Sequence, residues 1–171
     1  MPGVIAALQY ATAVTFLVIG LAAYRYGAAG QRAAETAVTR QGFSVEILSR
    51  HRVRIEESLA ELMLPLGISV VLATLATLNL TAPYIGRIAT WIIHPILLIA
   101  GGFITAGQVF TVRFVEAEFR KSQDPDARAV DVRDVINAAS AVFPVWLRPM
   151  IVTRFVLVTL GSALILLLTA G

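Results

Sequence analysis

The sequence has no cysteine, and it has little charge of either sign. The absence of cysteine from 171 residues removes disulfide frameworks, thiolate zinc sites, iron–sulfur clusters and cysteine nucleophiles, while leaving the redox compartment open. Charged residues make up only 15% of the chain, against about 25% for an ordinary soluble domain. Lysine is nearly missing, since 13 of the 14 basic residues are arginine. There is no glycine-rich phosphate loop, no HExxH and no paired-carboxylate constellation, so the chain is expected to bind no nucleotide and no cofactor itself. Hydrophobic residues make up the bulk, at 57%, with a mean hydropathy of +0.77. This composition excludes a soluble enzyme. The pI of 9.8 does not mark a nucleic-acid partner, because the net charge is only +3 and the arginines are interleaved with acids.

Four stretches are long enough to cross a hydrocarbon layer of about 30 Å, which takes roughly 20 helical residues. They are 4–24, 62–82, 88–112 and 150–170, and none contains Asp, Glu or Lys. Without the alternation of barrel strands, they read as helices, the structure that satisfies every backbone polar group inside lipid. The expected fold is all-α: one integral membrane domain over 1–171, a four-helix bundle with helical extensions. The first run starts close to Met1 without a preceding basic residue, so it is expected to be retained as a span and not cleaved as a signal peptide.

Charge placement orients the spans. Six basic residues fall in 25–61 and six in 113–149, and all 11 acids lie in the same two loops. Two loops separated by two crossings share a face, and the positive-inside rule makes that face cytoplasmic, with both termini exterior. The localisation expected is a bacterial inner membrane. On the exterior, only the N-terminal residues, a turn around Thr81–Tyr84 and Gly171 remain, too little for a receptor surface.

In the first loop, Gln31–Thr39 favours helix and Arg40-Gln-Gly42 resembles a C-terminal cap. Ser44 can start a new helix, and Val45, Leu48, Ile55, Leu59 and Leu62 recur at helical spacing. The pattern predicts one long helix from Ser44 to Asn79, carrying the i,i+4 pairs Glu46–Arg50 and Arg52–Glu56. Arg50, Arg52 and Arg54 are candidate contacts for anionic lipid or a partner, as is Arg148, although a solvated, salt-bridged helix face explains the first three as well. Ser58-Leu-Ala-Glu61 matches a capping box by chance. In the second loop, Glu116 and Arg120 form a further i,i+4 pair on a continuation of the third helix, which stops near Ser122–Asp126. Asp124, Asp126 and Asp131 do not make a calcium loop, because the required glycine is absent and Arg128 stands at a ligand position. No metal site is expected. Asp131 can cap a short helix with Val132, Val135, Ile136, Ala139 and Phe143 on one face, lying on the membrane surface or on its own bundle. Pro144, Trp146, Arg148 and Pro149 suit the headgroup zone.

Inside the spans, His94 and Arg154 are the polar residues with functional potential. Arg154 lies one turn from the cytoplasmic start of its helix, within snorkelling reach. His94 lies about 10 Å along the helix from Arg87, toward the outer leaflet, on the face opposite His51, so the two histidines cannot share a metal or haem. Pro65 and Pro95 are expected to disturb their helices. Gly101, Gly102, Ala106 and Gly107 form a small-residue face in the third span, suited to close helix packing, with Gly20, Gly67 and Gly161 as weaker examples.

No catalytic residue stands out. Intramembrane aspartyl proteolysis and small multidrug export both need acids that the spans lack, and serine nucleophiles have no base with an orienting carboxylate. Three readings follow: a non-catalytic accessory subunit on a larger membrane complex; a self-assembling transporter or channel lined by His94 or Arg154; and a lipid-modifying enzyme using His51. In size, four-span layout, arginine-rich composition and the inner stretches Arg50-His-Arg-Val-Arg-Ile-Glu-Glu57 and Val142-Phe-Pro-Val-Trp-Leu-Arg-Pro149, the chain is similar to the small accessory membrane subunit of mycobacterial Mce lipid-uptake transporters. That resemblance covers the whole chain. It implies lateral docking on a permease-type subunit that imports lipids in an assembly driven by a separate ATPase.

Overall fold

The computed structural model describes residues 2–170, so Met1 and the expected exterior residue Gly171 lie outside it. Among the described residues every regular element is helical. The helices are α1 Pro2–Arg40, α2 Glu46–Arg50, α3 Leu59–Thr81, α4 Pro83–Val109, α5 Thr111–Lys121, α6 Pro125–Ala129, α7 Val132–Ser140 and α8 Leu147–Ala170. Four of them, α1, α3, α4 and α8, are long and apolar enough to cross a membrane.

The chain divides into two compact units, which refines the single domain expected. One holds residues 2–20, 60–109 and 148–170; the other holds 21–59 and 110–147. In the first unit polar side chains share the interior with a small apolar cluster of Ala13, Phe16, Leu72, Leu97 and Val158, and many large apolar side chains face outward. On α1 the inward face carries Gln9, Thr12 and Thr15 beside Ala13 and Phe16, while Val4, Val14 and Leu17 face outward. The same holds for Phe103 (78% exposed) and Ile99 (74%) on α4 and for Leu167 (73%) on α8. A soluble monomer rarely leaves so much contiguous apolar surface in water, whereas a lipid-facing bundle requires it.

Close approach in this unit depends on glycine. A Cβ on Gly20 would stand 2.8 Å from Pro65 Cγ, so α1 meets α3 at this pair, and α3 runs on through Pro65. At the α3–α4 junction Pro83 opens the new helix, where its missing N–H costs nothing. α-Helix continues through Pro95 to Ile96, and the irregularity of α4 comes after it, a π-helical turn at Leu97–Gly101, matched in α8 by a second one, Leu157–Gly161, that has no proline within it. Such turns widen a helix by one residue without breaking it. The two turns meet: Gly101 faces Val158, and Gly102 faces Thr159.

The second unit follows soluble-protein rules. Ala34, Ala37, Val38, Ile47, Leu48, Phe119, Ala127, Val130, Val132, Val135 and Ala139 form its buried core, and its charges are outside. The short helix α7 is capped as expected, Asp134 N donating to Asp131 Oδ1 at 3.1 Å, and its apolar face packs into this core. The end of α1 is also as the sequence indicates. Gly42 has φ +86°, Phe43 N donates to Val38 O and Gly42 N to Thr39 O, the two bonds of a Schellman motif.

The helix expected from Ser44 to Asn79 is not formed. α2 stops at Arg50, residues 53–58 up to the start of α3 are non-helical, and the same Schellman pattern closes α2: Val53 N to Leu48 O at 2.8 Å and Arg52 N to Ser49 O at 3.1 Å. The left-handed position is filled by Arg52, at φ +55°, a conformation that costs a non-glycine residue about 1–2 kcal/mol. Burial of Ile47 and Leu48 in the core offsets that cost. The non-helical segment is then pinned to α1 by Gln31, whose Oε1 accepts from Ile55 N at 2.9 Å. Gly27 leaves room for it, since a Cβ there would stand 3.0 Å from Ile55 O. The continuation of the third span is likewise interrupted at Phe110, before α5 begins.

Candidate functional site

The largest concentration of buried polarity lies in the first unit and joins all four long helices. Gln9 on α1, Asn79 on α3, Thr90 and His94 on α4 and Ser162 on α8 are each buried. Asn79 Nδ2 donates to Gln9 Oε1 and to Leu75 O, both at 3.0 Å, and lies 3.0 Å from Thr90 Oγ1. Gln9 Nε2 donates to Thr90 Oγ1 at 3.3 Å and stands 3.1 Å from His94 Nε2. Thr90 Oγ1 donates to Gly86 O at 2.7 Å, and His94 Nδ1 stands 3.1 Å from Ser162 Oγ.

The proton directions follow from one group that can only accept. Leu75 O fixes which end of the Asn79 amide is nitrogen, and that nitrogen requires the Gln9 oxygen opposite it. Gln9 then turns its NH2 toward His94 Nε2, which must accept, so the ring proton sits on Nδ1 and is donated to Ser162 Oγ. The donors of Asn79, Gln9, Thr90 and the His94 ring then each have an acceptor. A network closed in this way ties helices together at fixed depth and register.

Arg154 is also buried, at 3% exposure. Its Nη2 donates to Gln108 Oε1 on α4, and its guanidinium lies 5.1 Å from the centre of the Phe16 ring on α1. Instead of snorkelling outward, the side chain is held among three helices by an amide and an aromatic face. Gly101 and Gly102 of the small-residue face lie against α8, whereas a Cβ on Gly107 would meet nothing within 4 Å. Ala106 is partly buried.

In the second unit, Arg50 pairs with Asp124 at 3.0 Å and not with Glu46, and the left-handed backbone at Arg52 removes the helical spacing from Glu56. Arg52, Arg54 and Arg148 are exposed. Glu116 and Arg120 pair as expected, at 3.5 Å. The aspartates of the second loop act as caps, Asp124 Oδ1 accepting from Asp126 N at 3.0 Å beside the Asp131 cap of α7. His51 packs against Phe119, ring centres 4.8 Å apart and planes tilted by 44°. That contact gives it a packing role.

Asp134 makes the clearest titration prediction. Arg40 Nη2 donates to its Oδ2 at 2.8 Å and Gln41 Nε2 to the same atom at 3.2 Å. The Arg40 hydrogen bond first, then that of Gln41, holds the carboxyl below its ordinary value of 3.8. A carboxyl depressed on folding contributes stability that is present above its unfolded pKa and lost as pH falls through the folded value. D134N is therefore expected to be less stable than wild type near neutral pH. The difference should close as pH drops below 3.8, followed by helix circular dichroism during denaturant titration. A gap that stays constant into acid would rule the pair out as its source.

The amides Gln9, Asn79 and Gln108 and the hydroxyls Thr90 and Ser162 are not among the residues singled out by charge or motif. Their signal is nonetheless in the sequence, because three amides, a histidine and an arginine in largely apolar spans each need a partner. No family model, no curated protein and no solved structure matches this chain.

Proposed function

We propose that the chain is a non-catalytic, multi-pass subunit of a bacterial inner membrane that works by docking on a larger, permease-type membrane protein. In this reading 25–61 and 113–149 are cytoplasmic, both termini are exterior, and the assembly is a lipid-uptake transporter of Mce type energised by a separate ATPase. One observation carries the proposal. The polar side chains that a path or an active site would use, His94 and Arg154, are buried in contacts with Gln9, Ser162, Gln108 and Phe16, while the outward faces of the spans are apolar. A bundle organised in this way has most of its intramembrane polarity committed to holding itself together and offers neighbours a mainly apolar packing surface. The topology rests on the placement of 12 of the 14 basic residues in two loops. The assembly type rests on the resemblance in size, layout and inner stretches.

The test is purification of the tagged full-length protein in mild detergent from its native host. Stoichiometric recovery of permease and ATPase subunits is the expected result. Recovery of homo-oligomers alone would overturn it in favour of a channel. Lipid extracts of a strain carrying H51A are expected to match wild type; a missing lipid species would point instead to an enzyme.

A further inference from the structure

One face of the first turns of α4 is built unlike the rest of the apolar exterior. Tyr84, Arg87, Ile88, Trp91 and Ile92 recur at i, i+3, i+4, i+7 and i+8, so they share one helix face, and they line a groove of about 460 Å³. Their side chains are open to the outside, Tyr84 at 80% and Trp91 at 46%. Arg87 is the only Asp, Glu, Lys or Arg between residues 62 and 112, and it makes no ion pair among the described residues.

We infer that this groove is a binding site for a single anionic phospholipid, with the headgroup phosphate on Arg87 and the start of an acyl chain along Ile88, Trp91 and Ile92. The inference rests on α4 crossing a membrane, and it holds whether or not the chain docks on a permease. The order of the residues matches the order of groups in a lipid. α4 begins at Pro83, so Arg87 stands at the level where headgroups lie, and Trp91 and Ile92 stand roughly 6–8 Å deeper at 1.5 Å per residue. A guanidinium offers a phosphate two parallel donors. Tyr84 and Trp91 are the aromatic types that settle at this depth. Charge complementarity selects the headgroup: with no acid on the face, a choline or ammonium group has no partner and competes with Arg87 for its own phosphate. An acidic headgroup such as phosphatidylglycerol carries no such competitor.

The chain has two tryptophans, so W146F leaves Trp91 as the sole reporter inside the groove. The full-length W146F protein is reconstituted in phosphatidylcholine vesicles, and its fluorescence is quenched with brominated phosphatidylglycerol or brominated phosphatidylcholine. From the attraction of one basic side chain for an anionic lipid, the expected preference for phosphatidylglycerol is about fivefold, falling toward one in W146F/R87Q and persisting in W146F/R87K. Inorganic phosphate in excess is expected to leave the quenching unchanged. A preference near one in W146F, a preference that survives R87Q, loss of quenching on adding phosphate, or no quenching by either lipid each overturns the inference; the last result would mean that protein covers the face. Should R87Q fail to fold by circular dichroism, the W146F preference and its decline with added salt decide the matter without it.

Discussion

G86A is expected to destabilise the protein by about 3 kcal/mol or more, at the upper end of what overpacking costs. A Cβ at Gly86 would stand 2.7 Å from both N and Cα of Asn79 and 2.8 Å from the carbonyl carbon of Leu78. These are backbone atoms, so no side-chain rotation relieves the clash and the α3–α4 junction has to open. The junction is short, with Ala82 N donating to Leu78 O at 2.8 Å and Gly86 N to Ala82 O at 2.9 Å. Opening it moves Asn79, which donates to Gln9, and displaces Gly86 O, which accepts from Thr90. The strain therefore reaches the polar network through covalent structure. Unfolding in mixed micelles, followed by circular dichroism, measures the loss against G67A, because a Cβ on Gly67 would meet nothing within 4 Å. G67A is expected to be neutral or slightly stabilising through helix propensity alone. Equal effects at the two positions would remove the clash as the cause.

Periodicity and length identified the four long helices, because a 20-residue apolar run has few other fates. Caps were legible where the residue type is diagnostic: Gly42 at a left-handed position and Asp131 at the start of α7. The break after α2 was legible only at its far end, where α3 starts directly after Ser58, so that Ser58-Leu-Ala-Glu61 stands at the N-cap and N3 positions of a capping box and is not a chance match. The end of α2 itself was not legible. Its left-handed position is Arg52, and nothing local distinguishes that arginine from its helical neighbours; the preference comes from burying Ile47 and Leu48 in a core assembled with Phe119, Val132 and Val135, more than 70 positions away. The pairing of Arg50 with Asp124 escaped for the same reason, since a helical spacing to Glu46 is visible in sequence and a contact across the chain is not. His94 and Arg154 were found as candidates, but not their partners. Charge draws attention to a residue, whereas amides such as Gln9 and Asn79 signal in sequence only that each needs a partner, and the partner shows when the helices bring the two within 3.0 Å.

The two units differ in what they bury within one sequence. Residues 2–20, 60–109 and 148–170 bury hydroxyls, amides, His94 and Arg154 beside Leu72, Leu97 and Val158, and leave many large aliphatic chains outside. Residues 21–59 and 110–147 bury Ala, Val, Leu and Phe and set Arg40–Asp134 and Arg133–Glu116 at the surface. Each arrangement suits a different solvent: lipid gives no reward for burying an apolar side chain, so association there relies on packing and hydrogen bonds, while water rewards it directly. The low overall charge is thus an average over two regions with different demands.

Q9L is expected to cost about 2–4 kcal/mol, because it removes three interhelical contacts at once, each worth roughly 0.6–1.7 kcal/mol in a bilayer protein. Asn79 Nδ2 loses one of its acceptors, His94 Nε2 loses its donor, and Thr90 Oγ1 loses one of its donors. Leucine fills a similar volume, so the cost reads hydrogen bonding more than cavity formation. Y10F is the matched control on the adjacent residue: it breaks only the exposed bond to Thr77, 2.7 Å long, and should cost about 0.5 kcal/mol. Combining Q9L with H94F separates a network from a set of independent contacts. If Gln9 and His94 hold each other, the double variant loses less than the sum of the two singles, by about 1 kcal/mol; strict additivity would mean that the 3.1 Å approach carries no energy. The same pair of variants discriminates between the two roles open to His94. A histidine lining a transport path would lose flux on H94F with unfolding unchanged, whereas a histidine tying α1 to α8 through Gln9 and Ser162 changes unfolding first.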